Sequence, residues 1–201
     1  MPDVTPRTRR RGAELDTAIH DAVIGLVVEG GPAAVTMEAV AARVGTGKTV
    51  LYRRWPDRSA LLSEALLAVA IHRIPHADTG SFRGDMLAVL DGLVELFTGP
   101  GSAIGPALVA AMAYDPEVAR AFRESVITWR KDEMAAMVAR GIARGEVRAD
   151  VTFEIVRELG QAMLWHRLLV TGDPITHEFA VRIVDEVLLP FTTNPTTRRG
   201  P

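Results

Sequence analysis

Lys48, Thr49, Tyr52 and Arg53 follow i, i+1, i+4, i+5 spacing, which places them on one face of a helix. A cation, a hydroxyl, a phenol and a guanidinium on one helical face can hydrogen-bond phosphate oxygens or the base edges of a major groove. No comparable grouping points to catalysis. The five histidines, His20, His72, His76, His166 and His177, form no helical metal pair, because Pro75 breaks the stretch between His72 and His76. The chain has no cysteine, no nucleophile elbow and no glycine-rich phosphate loop beside a strand. The expectation is therefore no catalytic residue, no metal and no cofactor.

The elements that must present the reading face lie at 36–55. Thr36 suits an N-cap, and Glu38 complements the positive end of the helix dipole. Val40, Ala41 and Val44 form a buried stripe, Gly45 supplies a turn with positive φ, and Thr46 is placed to cap a second helix ending near Arg54. Two helices crossing steeply need a small residue at closest approach, glycine in the turn and an aliphatic residue to lock the second helix. Ala41, Gly45 and Leu51 meet those needs, with Trp55 also facing inward. Two ordinary amphipathic helices in a bundle would show a similar pattern, so spacing alone leaves both readings open.

Charge supports the first reading only locally. The whole chain carries a formal −2, yet residues 1–58 hold nine Lys/Arg against seven Asp/Glu, with Arg7, Arg9, Arg10 and Arg11 at the start. Phosphate binding needs local positive charge, and an acidic remainder does not forbid it. The charged N-terminus lacks a signal-peptide pattern, and glycines and prolines interrupt the uncharged run 96–114, so no membrane span is expected and the cytoplasm is the expected location.

Helical periodicity covers almost the whole chain, predicting an all-α fold. An apolar stripe runs from Leu15 to Val27 and ends at Gly30-Gly31-Pro32. A helix follows Asp57, and further helices are predicted at 82–97, 103–114, 116–144, 151–170 and 175–191. The expected organisation is a basic arm (1–11), a three-helix domain with the helix-turn-helix (12–56), a helical bundle (57–191, its helix 57–71 acting as connector) and a disordered tail (192–201); that the first domain binds DNA and the second is a ligand-binding and dimerisation domain is what a family resemblance of the chain implies.

The stretch 31–67 resembles the DNA-binding domain of the tetracycline-repressor (TetR) family. The likeness rests on T-M-E-A-V-A-A-R-V-G, on G-K-T-V-L-Y-R-R-W-P, and on the following helix start with Leu61-Leu62. Val50 departs from the family pattern, which often has a hydroxyl there. The resemblance implies a homodimer that sets two recognition helices in successive major grooves of a pseudo-palindromic operator. It implies Thr36, Tyr52 and Arg58 on phosphates, Lys48 near phosphate or base, and Arg43, Thr46 and Thr49 near base edges.

More weakly, the turns at 144–150 and 168–174 resemble those flanking the penultimate helix of such regulators. That implies a dimer seam on the last two helices, for which Gly160, Ala180, Ile183, Val184, Val187 and Leu188 are candidates; a protomer core would use the same stripes. A pocket for a small, largely apolar effector is expected among Met86, Phe97, Met112, Phe122, Trp129, Met163, Trp165 and His166, since methionine and aromatic side chains accommodate varied apolar ligands. The function expected is a DNA-binding repressor released by that effector, the alternatives being a helical protein-interaction module or an enzyme.

Overall fold

The computed structural model describes residues 12–99 and 102–193. The expected arm and the residues after 193 lie outside these limits. The regular elements are α1 (Gly12–Gly30), α2 (Met37–Val44), α3 (Lys48–Tyr52), α4 (Arg58–Arg73), α5 (Phe82–Thr98), α6 (Ile104–Tyr114), α7 (Pro116–Phe122), α8 (Thr128–Ala143), α9 (Phe153–His166), α10 (His177–Arg182) and α11 (Leu189–Thr192). Among the described residues there is no strand.

Capping residues set the helix ends near the reading face. Gly31 reverses the chain after α1 at φ +71. Thr36 caps α2 by accepting the Ala39 N–H at 3.0 Å, and Gly45 ends it at φ 73. Gly47, not Thr46, takes the N-cap position of α3, with extended φ −86 and ψ 146. The turn uses Thr46 differently: its N–H donates to the Ala41 carbonyl at 2.9 Å, closing the end of α2. Asp57 caps α4 through the Ala60 N–H at 2.8 Å.

Three π-helical segments interrupt the long C-terminal helices: Arg123–Ile127 joins α7 to α8, Arg167–Thr171 extends α9, and Ile183–Leu188 joins α10 to α11. Each of the helices expected at 116–144, 151–170 and 175–191 thus contains a widened turn, a feature that apolar spacing on either side does not disclose.

Two apolar clusters hold the fold. The first gathers Ile19, Val23 and Val27 of α1, Val40 and Ala41 of α2, Leu51, Trp55, and Leu61, Leu62 and Ala65 of α4. It continues without a break into Leu108 and Ala111 of α6, Val118 and Ala121 of α7, and Val126. The helix-turn-helix therefore shares a core with the next layer, and α4 is a wall of that core as well as a connector. The second cluster packs α5 (Phe82, Met86, Leu90, Leu93) against Met134 and Met137 of α8, Leu164 of α9 and the last helical stretch.

That second cluster corrects the expected dimer seam. Ala180, Ile183, Val184 and Leu188 are at most 1% exposed. Gly160 is buried where an added Cβ would sit 3.2 Å from Leu188 and 3.3 Å from Leu90. These five residues close the protomer's own core against α5, because each C-terminal helix must bury one face before it can offer another. Val187 is half-buried. Thr192, expected to begin the tail, is fully buried, and its carbonyl accepts the Arg148 N–H at 2.9 Å.

Candidate nucleic-acid interface

Helix α3 is only five residues long, too short to be stable alone, so tertiary anchoring must hold it. Leu51 supplies the anchor at 0% exposure, and Trp55 follows at 3%. The Trp55 indole N–H donates to Glu64 at 2.7 Å, and His20 packs edge-on against the ring. With that side fixed, Lys48, Thr49, Tyr52 and Arg53 are all exposed on the outer side. Half of the Tyr52 surface faces solvent.

The cations of this region are held in place by exposed carboxylates. Lys48 Nζ lies 2.7 Å from Glu38 Oε1, which ties α3 to the first turn of α2 and brings Thr36 alongside. The bond to Glu38 raises the Lys48 pKa and lowers that of its partner, so both stay charged. Arg43 makes a bidentate pair with Glu29 at 2.6 and 2.5 Å. Such solvent-exposed pairs contribute little net stability. A phosphate can therefore replace either carboxylate at small cost while releasing counterions from DNA. Thr36 uses an oxygen lone pair for its cap, which leaves its hydroxyl proton free to donate. Thr46 is half-buried in the turn between the two helices.

Arg58 stands apart from these residues. Its guanidinium donates to the Val35 carbonyl at 2.9 Å, to Asp115 at 3.0 Å, and to Glu117. It is turned toward the α6–α7 junction and binds the start of α4 to the C-terminal layer. Asp115 is shaped for this role: burial raises its pKa, but the bond from Arg58 and the N–H groups of Val118 and Glu117 hold it below the usual 3.8. Sequence reading missed Asp115 and Glu117. The sequence predicts a helix from residue 116, with nothing to indicate that Asp115, just before it, has a partner 57 residues away.

The expected pocket residues do not converge on one cavity. Met86 and Phe97 are buried in the second cluster, where the Phe97 ring meets Trp165 with centroids 4.6 Å apart. Met112, Phe122 and Trp129 pack on the first cluster, Trp129 touching both. Met163 and His166 instead line an open groove on the outer side of α9 with Ile155, Leu159, Ala162 and Phe179. Val170, beside this groove, is 71% exposed, and Leu169 and Ile155 are 47% and 43% exposed. Among the described residues, no helix is long and apolar enough to cross a membrane, and no cluster of His, Asp and Glu could hold a metal ion.

Comparison with known proteins places this geometry in a family. Residues 19–65 match the family model described as bacterial regulatory proteins, tetR family, and residues 76–187 match the tetracyclin repressor-like C-terminal domain. The DNA-binding transcriptional repressor TetR of Mycobacteroides abscessus is 31% identical over 180 residues, 89% of this chain and 94% of that protein. The HTH-type transcriptional regulator YdeS of Bacillus subtilis is 27% identical over 179 residues, covering 87% of this chain and 90% of that one. The crystal structure of the TetR family transcription regulator SCO0332 superposes with a TM-score of 0.66 at 29% identity, over 90% of this chain and all of that one. A TetR transcriptional regulator from Agrobacterium tumefaciens shares the fold at a TM-score of 0.70 and 17% identity, over 91% of this chain and 97% of that one. With its capped helix-turn-helix, outward polar face on α3 and helical C-terminal layer, the chain belongs to the TetR family of DNA-binding transcriptional regulators.

Proposed function

We propose that the protein is a dimeric repressor that occupies a pseudo-palindromic operator and leaves it when a small effector binds the C-terminal helices. The observation that carries this reading is the short helix α3, anchored by Leu51 and Trp55 and exposing Lys48, Thr49, Tyr52 and Arg53. Two such helices, one from each protomer, read half-sites about one helical turn of DNA apart. Tyr52, Thr36 and Lys48 bind the backbone and fix the register, while Thr49, Arg53 and, once released from Glu29, Arg43 reach base edges. The protomers meet through the outer face of α9, where Ile155, Leu169 and Val170 remain exposed after the protomer core is complete. The domains work as a head of α1–α3, a lever formed by α4, and a sensing and dimerising body.

Effector binding acts by differential affinity. A ligand that fits only one disposition of α4 against the body shifts the dimer away from operator spacing, and a coupling of about 1–3 kcal/mol is enough to relieve repression. The test is selection of bound fragments from a genomic library with purified protein, followed by footprinting. Two protected half-sites related by a two-fold axis are expected. Recovery of no sequence above background, or a single unpaired site, would overturn the dimeric-operator reading.

A further inference from the structure

Arg130 lies on the stripe of α8 that continues through Met134, Met137 and Gly141, the side packed into the body. Only 4% of the residue is exposed. Its Nε and Nη1 are buried without a hydrogen-bond partner, and its guanidinium carbon lies 5.5 Å from the centre of the Trp129 ring. Across the α8–α9 contact lies Arg157, 8% exposed, whose Nε is likewise buried and unpartnered. Its other end donates to Glu158 at 2.8 Å. The carboxylate that acts on Arg130 electrostatically is Glu133, and that group is bonded to His76. Burial, outweighing the attraction of Glu133 and joined by repulsion from Arg157, lowers the Arg130 pKa to about 10, so it is still a cation at neutral pH.

A buried guanidinium without a bonded anion is a costly feature, and one that a well-packed apolar side chain would avoid. We propose that Arg130 and Arg157 form the anion-binding end of the effector site and take the carboxylate of a small organic acid with an apolar body. This inference rests on reading the protein as a ligand-released repressor. The charge count favours a monocarboxylate. Glu158 pairs with Arg157 and Glu133 acts on Arg130 without bonding it, so the formal charges of the four groups cancel; a monoanion adds the least negative charge, and a phosphate dianion would leave a larger excess. The planar guanidinium fork matches a carboxylate's two oxygens. Met134 and Met137, one and two turns along the same buried stripe of α8, bring flexible thioethers that can repack around an apolar body.

The site is also well placed to reach the DNA-binding layer. The π-helical segment Arg123–Ile127 ends three residues before Arg130 and packs against α4. An acid that draws Arg130 inward pulls on that segment and, through it, on the lever helix.

The full chain is titrated with decanoate, phenylacetate and indole-3-acetate, each beside its uncharged primary amide, by calorimetry and thermal shift. At least one acid is expected to bind and raise the Tm, with its amide at least about tenfold weaker, the factor given by one lost charge-assisted bond. Arg130→Met abolishes the acid's binding, Arg130→Lys retains part of it, and Arg157→Gln weakens it. Arg130→Met also raises the ligand-free Tm, because it removes a desolvated charge; a merely structural arginine gives a lower Tm. The inference is overturned if no acid binds, if amides bind as well as acids, if a folded Arg130→Met or Arg130→Lys dimer keeps full acid affinity, or if Arg130→Met lowers the ligand-free Tm. Operator binding is followed separately on the same samples. Acids that bind through Arg130 without releasing operator defeat the ligand-released reading and leave the site standing; release by the amides alone does the reverse.

Discussion

Replacing Arg58 by alanine separates two roles that one arginine at this position could have, a phosphate contact or a clasp between the layers. The side chain is 24% exposed and its partners Asp115 and Glu117 are 23% and 37% exposed, so the cluster is partly shielded from water. Hydrogen bonds to charged groups contribute about 1.5–3 kcal/mol each when well buried, and partial exposure reduces this. Asp115 keeps the Glu117 and Val118 N–H groups after truncation, at 2.9 and 3.3 Å, so it is not left wholly unsatisfied. The expected loss is about 2 kcal/mol, which for a chain of this size lowers the Tm by about 4–8 °C. Calorimetry of Arg58→Ala, Asp115→Asn and the double variant should show a coupling of about 1 kcal/mol between the two sites. Operator binding measured against salt gives the second readout. A phosphate contact contributes about one unit to the slope of log affinity against log salt, whereas a clasp contributes none. An unchanged Tm, additive double-variant energies, or a slope reduced by about one would refute the clasp.

Asp115 gives a pH signature of the same clasp. Its folded-state pKa lies below the usual 3.8, so its contribution to stability is complete above that value and disappears as pH falls through the folded pKa. The stability difference between the wild type and Asp115→Asn should therefore hold constant down to about pH 4.5 and shrink below it; a difference unchanged at about pH 2 would contradict this. Gly92→Ala tests the packing of α5 on the end of α4. A Cβ there would lie 2.7 Å from the Arg73 carbonyl oxygen and 2.8 Å from Pro75 Cδ. The resulting displacement outweighs alanine's better helix propensity, for a net loss of roughly 1–2 kcal/mol read as a lower urea midpoint. A midpoint equal to or above wild type would show that the connector yields freely.

The recognition half of the molecule was largely legible because its signals are local. Gly45 has the positive φ its position requires, Thr36 and Asp57 cap the helices they precede, and Leu51 and Trp55 turn inward as their spacing demands. Thr46 was misplaced because a threonine before a helix is an attractive cap, and only three-dimensional structure shows that Gly47 takes that position. The C-terminal half was less legible for a different reason. Apolar stripes mark a buried face without naming the partner, so Ala180, Ile183, Val184 and Leu188 suggested a second protomer when their partner is α5 of the same chain. Arg130 escaped notice because periodicity registers apolar residues, and a single arginine among Met134, Met137 and Gly141 reads as an interruption of the stripe. The Arg58 clasp joins residues 57 positions apart, which no local pattern reports.

Operator affinity of a Lys48→Ala/Tyr52→Ala double variant tests the central claim most directly. Both residues are exposed on α3, so the variant should keep the wild-type Tm and the wild-type oligomeric state. Fluorescence anisotropy on a genomically selected fragment should then show specific binding lost, with affinity reduced to that for unrelated DNA. A folded double variant that binds the same fragment with wild-type affinity would contradict the assignment of α3 as the helix that reads DNA.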